Sequence, residues 1–151
     1  MKQTTILIAD DHTILRQGLR ILINSEPGLR CIGEAGSGEE AVALAREHTP
    51  DVVIMDISME GLNGIDATRI IKNEHPDIKV VILSMFPDDE YVLGAVDAGA
   101  SGYLVKQTAA NNLIDAIRAV SNDQVYFSPA VSKVMVEAYR QQTASSGSSE
   151  A

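Results

Sequence analysis

The chain has 151 residues, of which 12 are Lys or Arg and 21 are Asp or Glu, giving a formal net charge of −9. Its length fits one domain, and its hydrophobic share of 45% is typical of globular proteins and excludes disorder along the whole chain. The apolar runs are too short for a membrane-spanning helix or a signal peptide, so we expect a cytoplasmic protein with no membrane partner. The acidity argues against DNA binding by these residues, because such binding depends largely on Lys and Arg.

Short apolar runs recur along the first two thirds of the chain. Strands that are buried on both faces have continuous rather than alternating apolar residues, and this pattern is typical of a parallel sheet covered by helices. The runs are residues 6–9, 52–55, 80–83 and 103–105, with a weaker run at 29–32. We therefore predict five parallel strands.

Segments of helical length and period separate these runs. Leu15, Leu19 and Leu22 recur at the spacing of one helix face, and Leu113, Ile117 and Val120 repeat that spacing. Alternation of strand and helix, five times over, predicts a doubly wound α/β domain over residues 4–122, with the common strand order 2-1-3-4-5.

The pattern changes after this domain. The pair Ser128 and Pro129 is typical of a helix start, and an apolar stripe follows it, so we predict a linker helix over residues 128–142. Residues 143–151 lack apolar periodicity and have the composition of a flexible linker or tail.

Polar side chains follow the predicted strands where each strand ends. Asp10 and Asp11 follow the first strand, Asp56 the third, Ser84 the fourth and Lys106 the fifth. Carboxyl ends of parallel strands form the ligand-binding edge of an open sheet. Carboxylates gathered there repel one another unless a cation relieves them, and Mg²⁺ prefers such oxygen ligands. With a lysine and a hydroxyl for phosphoryl oxygens, the edge is suited to a phosphoryl group on a carboxylate.

Four segments together resemble the receiver domain of bacterial response regulators, most closely the NarL/FixJ (LuxR-type) subfamily of two-component transcriptional regulators. They are residues 6–12, 53–59, 83–85 and 99–106, and the resemblance extends from residue 4 to about residue 140. It implies the CheY-like, flavodoxin-like (βα)5 fold. Full-length members add a C-terminal helix-turn-helix, which is absent from these residues.

The resemblance also implies residue roles. Asp56 would accept the phosphoryl group, and Ser84 and Lys106 would bind its oxygens. Mg²⁺ would be held by Asp11, Asp56 and the backbone carbonyl of Ser58, with Asp10 assisting through water. Ser84 and Tyr103 would form the conformational switch, although a tyrosine in a terminal strand is more simply a core residue.

Two positions depart from the pattern of most receivers. Glu60 stands where a proline is usual and adds a carboxylate near the site, and Gln107 stands where many receivers have a proline after a cis peptide bond. Three histidines, His12, His48 and His75, are most simply surface residues, and Cys31 a buried apolar one. None of these four is expected to be a ligand.

The resulting hypothesis is a signalling module and not a turnover enzyme. The expected partners are a sensor histidine kinase and, after phosphorylation, a second copy of the chain, with DNA contacted only through the absent domain. A stand-alone receiver that acts through protein contacts is one alternative. A phosphatase of the haloacid dehalogenase type is another, but such enzymes usually carry a second Asp where this chain has Ser58.

Overall fold

The computed structural model describes residues 3–85 and 88–149, with side chains as far as residue 141. Strands and helices alternate in chain order from the first strand to the fifth helix. The strands are β1 (Thr4–Ala9), β2 (Leu29–Ala35), β3 (Val52–Asp56), β4 (Lys79–Ser84), β5 (Gly102–Val105) and β6 (Tyr126–Phe127). The helices are α1 (Thr13–Ser25), α2 (Gly38–His48), α3 (Gly64–Glu74), α4 (Asp89–Asp97), α5 (Ala109–Ser121) and α6 (Pro129–Ser149).

Within the described residues the strands form one parallel sheet in the order β2-β1-β3-β4-β5-β6. This confirms the expected order 2-1-3-4-5. The register pairs Ala9 with Met55, Asp56 with Leu83, and Ser84 with Val105. The residues that end β1, β3, β4 and β5 therefore lie at one edge of the sheet.

Alternate strand residues point into two hydrophobic cores, one on each face of the sheet. Ile6 and Ile8 of β1 pack on the face covered by α1 and α5, whereas Leu7 and Ala9 pack on the face covered by α2, α3 and α4. Nearly all of these side chains are inaccessible to solvent, which explains why the central strands have continuous apolar sequences.

Two features at the C-terminal end differ from the sequence prediction. β6 is a two-residue strand that extends the sheet beyond β5. The last helix begins as expected but continues to Ser149, through residues 143–149, which were expected to be a flexible tail. Those residues contain no proline that would stop a helix. Extending an existing helix fixes fewer dihedral angles per hydrogen bond than starting one, so α6 can continue without an apolar stripe. Glu150 and Ala151 of the predicted tail lie outside the described residues.

The first turns of α6 join the core. Val131 and Ala138 are buried, and Val131 belongs to the same cluster as Val92 and Ala95 of α4 and Tyr103 of β5. The first turns of α6 are thus packed against the α4–β5 side of the domain. None of the helices within the described residues is both long and apolar enough to cross a membrane.

Candidate functional site

The carboxyl edge of the sheet gathers three acidic side chains. Asp10 and Asp56 are completely buried, whereas Asp11 is about one third exposed. Their carboxylate oxygens, together with Nδ1 of His12, offer four ligand atoms that all lie within 4.8 Å of one another. The sequence prediction that Asp10, Asp11 and Asp56 converge is therefore confirmed. His12 was missed as a member of the group.

Lys106 supplies the positive charge of this cluster. Its Nζ lies 3.0 Å from Oδ2 of Asp56 and 3.6 Å from Oδ2 of Asp10, and its side chain is only 6% exposed. It is positioned by a short 3-10 turn, Lys106–Thr108, which follows β5 directly and in which the Lys106–Gln107 peptide bond is trans. With all four groups ionised, the three carboxylates and one ammonium leave two surplus negative charges.

Two buried carboxylate oxygens in the site accept no hydrogen bond from the described residues. They are Oδ2 of Asp10 and Oδ2 of Asp56, which contact the Lys106 ammonium as ion pairs but without the alignment of a hydrogen bond. Buried oxygens of this kind normally have a hydrogen-bond partner or a bound cation. The surplus negative charge and the free lone pairs on these two carboxylate oxygens fit a hard divalent cation such as Mg²⁺.

Burial changes the acidity of Asp56. Loss of solvation raises the pKa of its carboxyl to about 6, the Asp10 charge adds to the rise, and Lys106 and the backbone N–H of Ser58 oppose it. The N–H of Ser58 donates to Oδ1 of Asp56 over 3.1 Å. The loop after β3 therefore orients the carboxylate and leaves Oδ2 directed toward Lys106.

A close backbone approach fixes that loop. The N–H of Gly64, the first residue of α3, donates to the carbonyl of Ile57 over 3.0 Å, and a Cβ at Gly64 would lie only 2.1 Å from the carbonyl oxygen of Asp56. Within the loop, Gly61 has a φ of +75°, a conformation that side chains disfavour. Glu60, the departure noted in the sequence, is exposed and does not belong to the acidic group among the described residues.

Ser84 and Tyr103 lie on neighbouring strands beside the acidic residues. Ser84 ends β4 one residue beyond Leu83, the register partner of Asp56, and it is 5% exposed. Tyr103 is fully buried, and its burial raises the pKa of the phenol while a side-chain hydrogen bond with Ser84 opposes that rise. The two residues expected to form a switch are therefore in direct contact, with the tyrosine in an inward position.

A model of the response regulator receiver domain matches residues 6–118 of this sequence. This match covers most of the chain, including every acidic residue of the site. The chain belongs to the response regulator receiver family. The receiver's sheet order, helix arrangement and acidic edge agree with that assignment.

Two similar proteins are named transcriptional regulatory proteins. It is 38% identical to transcriptional regulatory protein DegU of Brevibacillus brevis over 135 residues, covering 89% of this chain and 57% of that protein. It is 44% identical to transcriptional regulatory protein LiaR of Bacillus subtilis over 119 residues, covering 79% of this chain and 56% of that protein. The receiver thus spans little more than half the length of these relatives.

Solved structures of response regulators are also similar to this receiver. A two-component response regulator of the LuxR family from Aurantimonas sp. SI85-9A1 is 37% identical, with a TM-score of 0.85 over 90% of this receiver and 97% of that chain. The response regulator domain of Thermotoga maritima CheB is 30% identical, with a TM-score of 0.75 over 80% of this receiver and 98% of that chain.

The raised pKa of Asp56 predicts a pH-dependent cost in stability without a bound cation. In the unfolded chain the pKa of this carboxyl is its ordinary 3.8. Above a pH of about 6 the carboxylate is ionised in the folded protein and lowers the free energy of unfolding. This destabilisation disappears as the pH falls below the folded and then the unfolded pKa. Asp56→Asn removes the charge and is expected to raise the free energy of unfolding by about 1 to 3 kcal/mol near pH 8, but by much less near pH 4. Urea unfolding in EDTA at both pH values measures this difference. An equal gain at both would assign the effect to packing of the amide instead.

Proposed function

We propose that Asp56 is the phosphoacceptor of this receiver. The observation that carries the proposal is the contact of 3.0 Å between the buried oxygen Oδ2 of Asp56 and the Lys106 ammonium, at an edge with two surplus negative charges. A phosphoryl group on that oxygen would bring its own oxygens to Lys106. The hydroxyl of Ser84, at the end of the adjacent strand, would donate to another of them.

In this proposal a carboxylate oxygen of Asp56 attacks phosphorus of a phosphohistidine on a sensor histidine kinase. The new bond is between that oxygen and phosphorus, the phosphorus–nitrogen bond breaks, and the imidazole leaves with the bonding electron pair and takes up a proton. Asp11, Asp56 and the carbonyl of Ser58 would hold Mg²⁺, with Asp10 assisting through water. The cation would neutralise charge on the transferred phosphoryl group. The acyl phosphate is the product, and we propose no turnover reaction beyond its slow hydrolysis.

The proposed output passes through Tyr103. Ser84 would donate to the phosphoryl group instead of bonding Tyr103, and this exchange would shift the equilibrium of the tyrosine and of the α4–β5 side on which α6 packs. We propose that residues 4–122 form the receiver unit and that α6 connects it to a DNA-binding domain outside this chain. The names of DegU and LiaR as transcriptional regulators support this placement.

Incubation with acetyl phosphate and Mg²⁺ tests the phosphoacceptor proposal directly. The intact mass is expected to rise by one phosphoryl group, and hydroxylamine, which cleaves acyl phosphates, is expected to remove it. EDTA added before the phosphodonor should prevent the gain. A modification that survives hydroxylamine would place the phosphoryl group on a hydroxyl and contradict the proposal.

Phosphorylation is expected to favour a homodimer of the receiver. Beryllofluoride with Mg²⁺ mimics an aspartyl phosphate, so it should increase the sedimentation-velocity mass of the wild type but not that of Asp56→Asn. The unmodified protein at the same concentration is the control. An unchanged mass of the beryllofluoride-bound wild type would contradict phosphorylation-dependent dimerisation.

A further inference from the structure

His12 contributes a nitrogen atom to a site that is otherwise made of oxygens. Its Nδ1 lies 3.0 Å from Oδ1 of Asp10, 3.2 Å from Oδ1 of Asp11 and 4.0 Å from Oδ2 of Asp56. Two ligand atoms bound about 2.1 Å from a common ion lie about 3 Å apart when adjacent and about 4 Å apart when opposite. The spacing of Nδ1 from these oxygens, which for Asp10 is also that of a hydrogen bond, fits ligands that share one ion.

The backbone places the imidazole at the site. His12 is the N-cap residue of α1, and its N–H donates to Oδ1 of Asp10 over 2.8 Å. The side chain is 61% exposed, yet Nδ1 faces the buried Asp10 carboxylate. The edge that bears Nδ1 thus lies inside the acidic cluster, while the remainder of the ring is open to solvent.

The imidazole of His12 also contacts the ammonium of Lys106. Nζ of Lys106 lies 3.1 Å from Nδ1, and an ammonium can only donate a hydrogen bond. Nδ1 thus faces the ammonium of Lys106 as well as the carboxylates of Asp10 and Asp11, in the part of the site that holds the two buried oxygens without a hydrogen bond, Oδ2 of Asp10 and Oδ2 of Asp56.

A nitrogen ligand changes which ions a site prefers. Mg²⁺ takes oxygen ligands almost exclusively, whereas imidazole suits zinc and other late first-row transition ions, whose affinities for mixed sites rise along the series from Mn²⁺ to Cu²⁺. A site with three carboxylates and one imidazole nitrogen can therefore serve both kinds of ion. Only the transition ion gains from the nitrogen.

We propose that His12, through Nδ1, is a ligand that gives the acidic site of this receiver a second cation-binding mode, selective for Zn²⁺ and related transition ions over Mg²⁺. The inference rests on the proposed function, because the carboxylates are the same. A bound transition ion would exclude Mg²⁺ from those carboxylates.

His12→Asn tests this inference with little change to the fold. Asparagine is a favourable N-cap residue and exchanges the nitrogen ligand for an oxygen. Isothermal titration with CoCl₂, a spectroscopic substitute for zinc, is expected to give at least about tenfold weaker binding than for the wild type. Titration with MgCl₂ should give affinities within about twofold of each other. The visible absorption of bound Co²⁺ should also change, because one ligand atom changes from nitrogen to oxygen.

His48→Asn is the matched control, since it removes an exposed imidazole at the end of α2. It should leave both titrations and the Co²⁺ spectrum unchanged. Equal Co²⁺ affinity and an equal spectrum in the wild type and His12→Asn would overturn the inference, as would an equal loss in His48→Asn. If the wild type binds no Mg²⁺ while His12→Asn still weakens Co²⁺ binding, the proposed function fails and the inference stands. Circular dichroism of each variant checks that it is folded.

Discussion

Replacing Asp56 by asparagine is expected to abolish phosphoryl transfer to this protein. The amide that replaces the carboxylate is a poor nucleophile, and it removes the anionic oxygen that contacts Lys106 over 3.0 Å. Asp10 is equally buried, but it accepts a hydrogen bond from the N–H of His12 and lies 3.6 Å from that ammonium, so we do not expect it to accept the phosphoryl group in place of Asp56. The intact mass after incubation with acetyl phosphate and Mg²⁺ measures the loss.

Asp97→Asn is the control for this experiment. Asp97 ends α4 and makes an exposed ion pair with Arg69, away from the sheet edge. Its replacement should leave labelling at the wild-type level. Labelling of Asp56→Asn at that same level would place the phosphoryl group on another residue. A loss of labelling in Asp56→Asn is not expected to result from unfolding. Removal of this buried charge should raise the free energy of unfolding, as measured in EDTA.

Of the substitutions proposed for this protein, Gly64→Ala is expected to lower the free energy of unfolding most. The added Cβ would lie 2.1 Å from the carbonyl oxygen and 2.8 Å from the carbonyl carbon of Asp56, and backbone atoms cannot rotate away as a flexible side chain can. Relief requires α3 or the end of β3 to move. We expect a decrease of about 2 to 4 kcal/mol in the free energy of unfolding, measured with urea. The displacement should also slow labelling by acetyl phosphate.

Gly18→Ala makes the same chemical change where there is room for it. Gly18 lies inside α1, and a Cβ at this position would meet no atom within 4 Å. Alanine is favoured over glycine inside a helix, so this variant is expected to be more stable by about 0.5 to 1 kcal/mol. If both variants changed stability by the same amount, the close approach of α3 to Asp56 would not be the cause.

The parts of the fold that could be predicted are those with residues buried on both faces of the sheet. Residues 52–55 and 80–83 are uninterrupted apolar runs because both of their faces are covered, and the structure confirms them as β3 and β4. β2 is an edge strand that pairs only with β1, and its residues differ in burial, with Arg30 exposed. Its sequence signal is correspondingly weaker, and only residues 29–32 of the strand were predicted.

The parts that could not be predicted depend on long-range contacts or on helix extension. β6 consists of Tyr126 and Phe127 alone, too short for any periodicity, and it exists because Gly102 and Tyr103 offer a free strand edge. Residues 143–149 carry no apolar stripe, so nothing in their pattern distinguishes a continued helix from a linker.

The site could be predicted as far as strand ends determine it. Asp10, Asp56, Ser84 and Lys106 end strands or directly follow them, and parallel strands bring their ends to one edge. His12 gave no such signal, since a histidine at a helix start is usually a surface residue. Its position directly after Asp10 and Asp11 was the available clue, because an N-cap residue that bonds back to Asp10 must lie beside that carboxylate.

Mapping the phosphoryl group tests the central claim most directly. Borohydride reduces an aspartyl phosphate to homoserine, so reduction of the acetyl phosphate-treated protein, followed by tandem mass spectrometry, marks the acceptor permanently. The account predicts homoserine at position 56 and unchanged aspartates at positions 10 and 11. Homoserine at either of those positions, or a labelled protein with Asp56 intact, would contradict it.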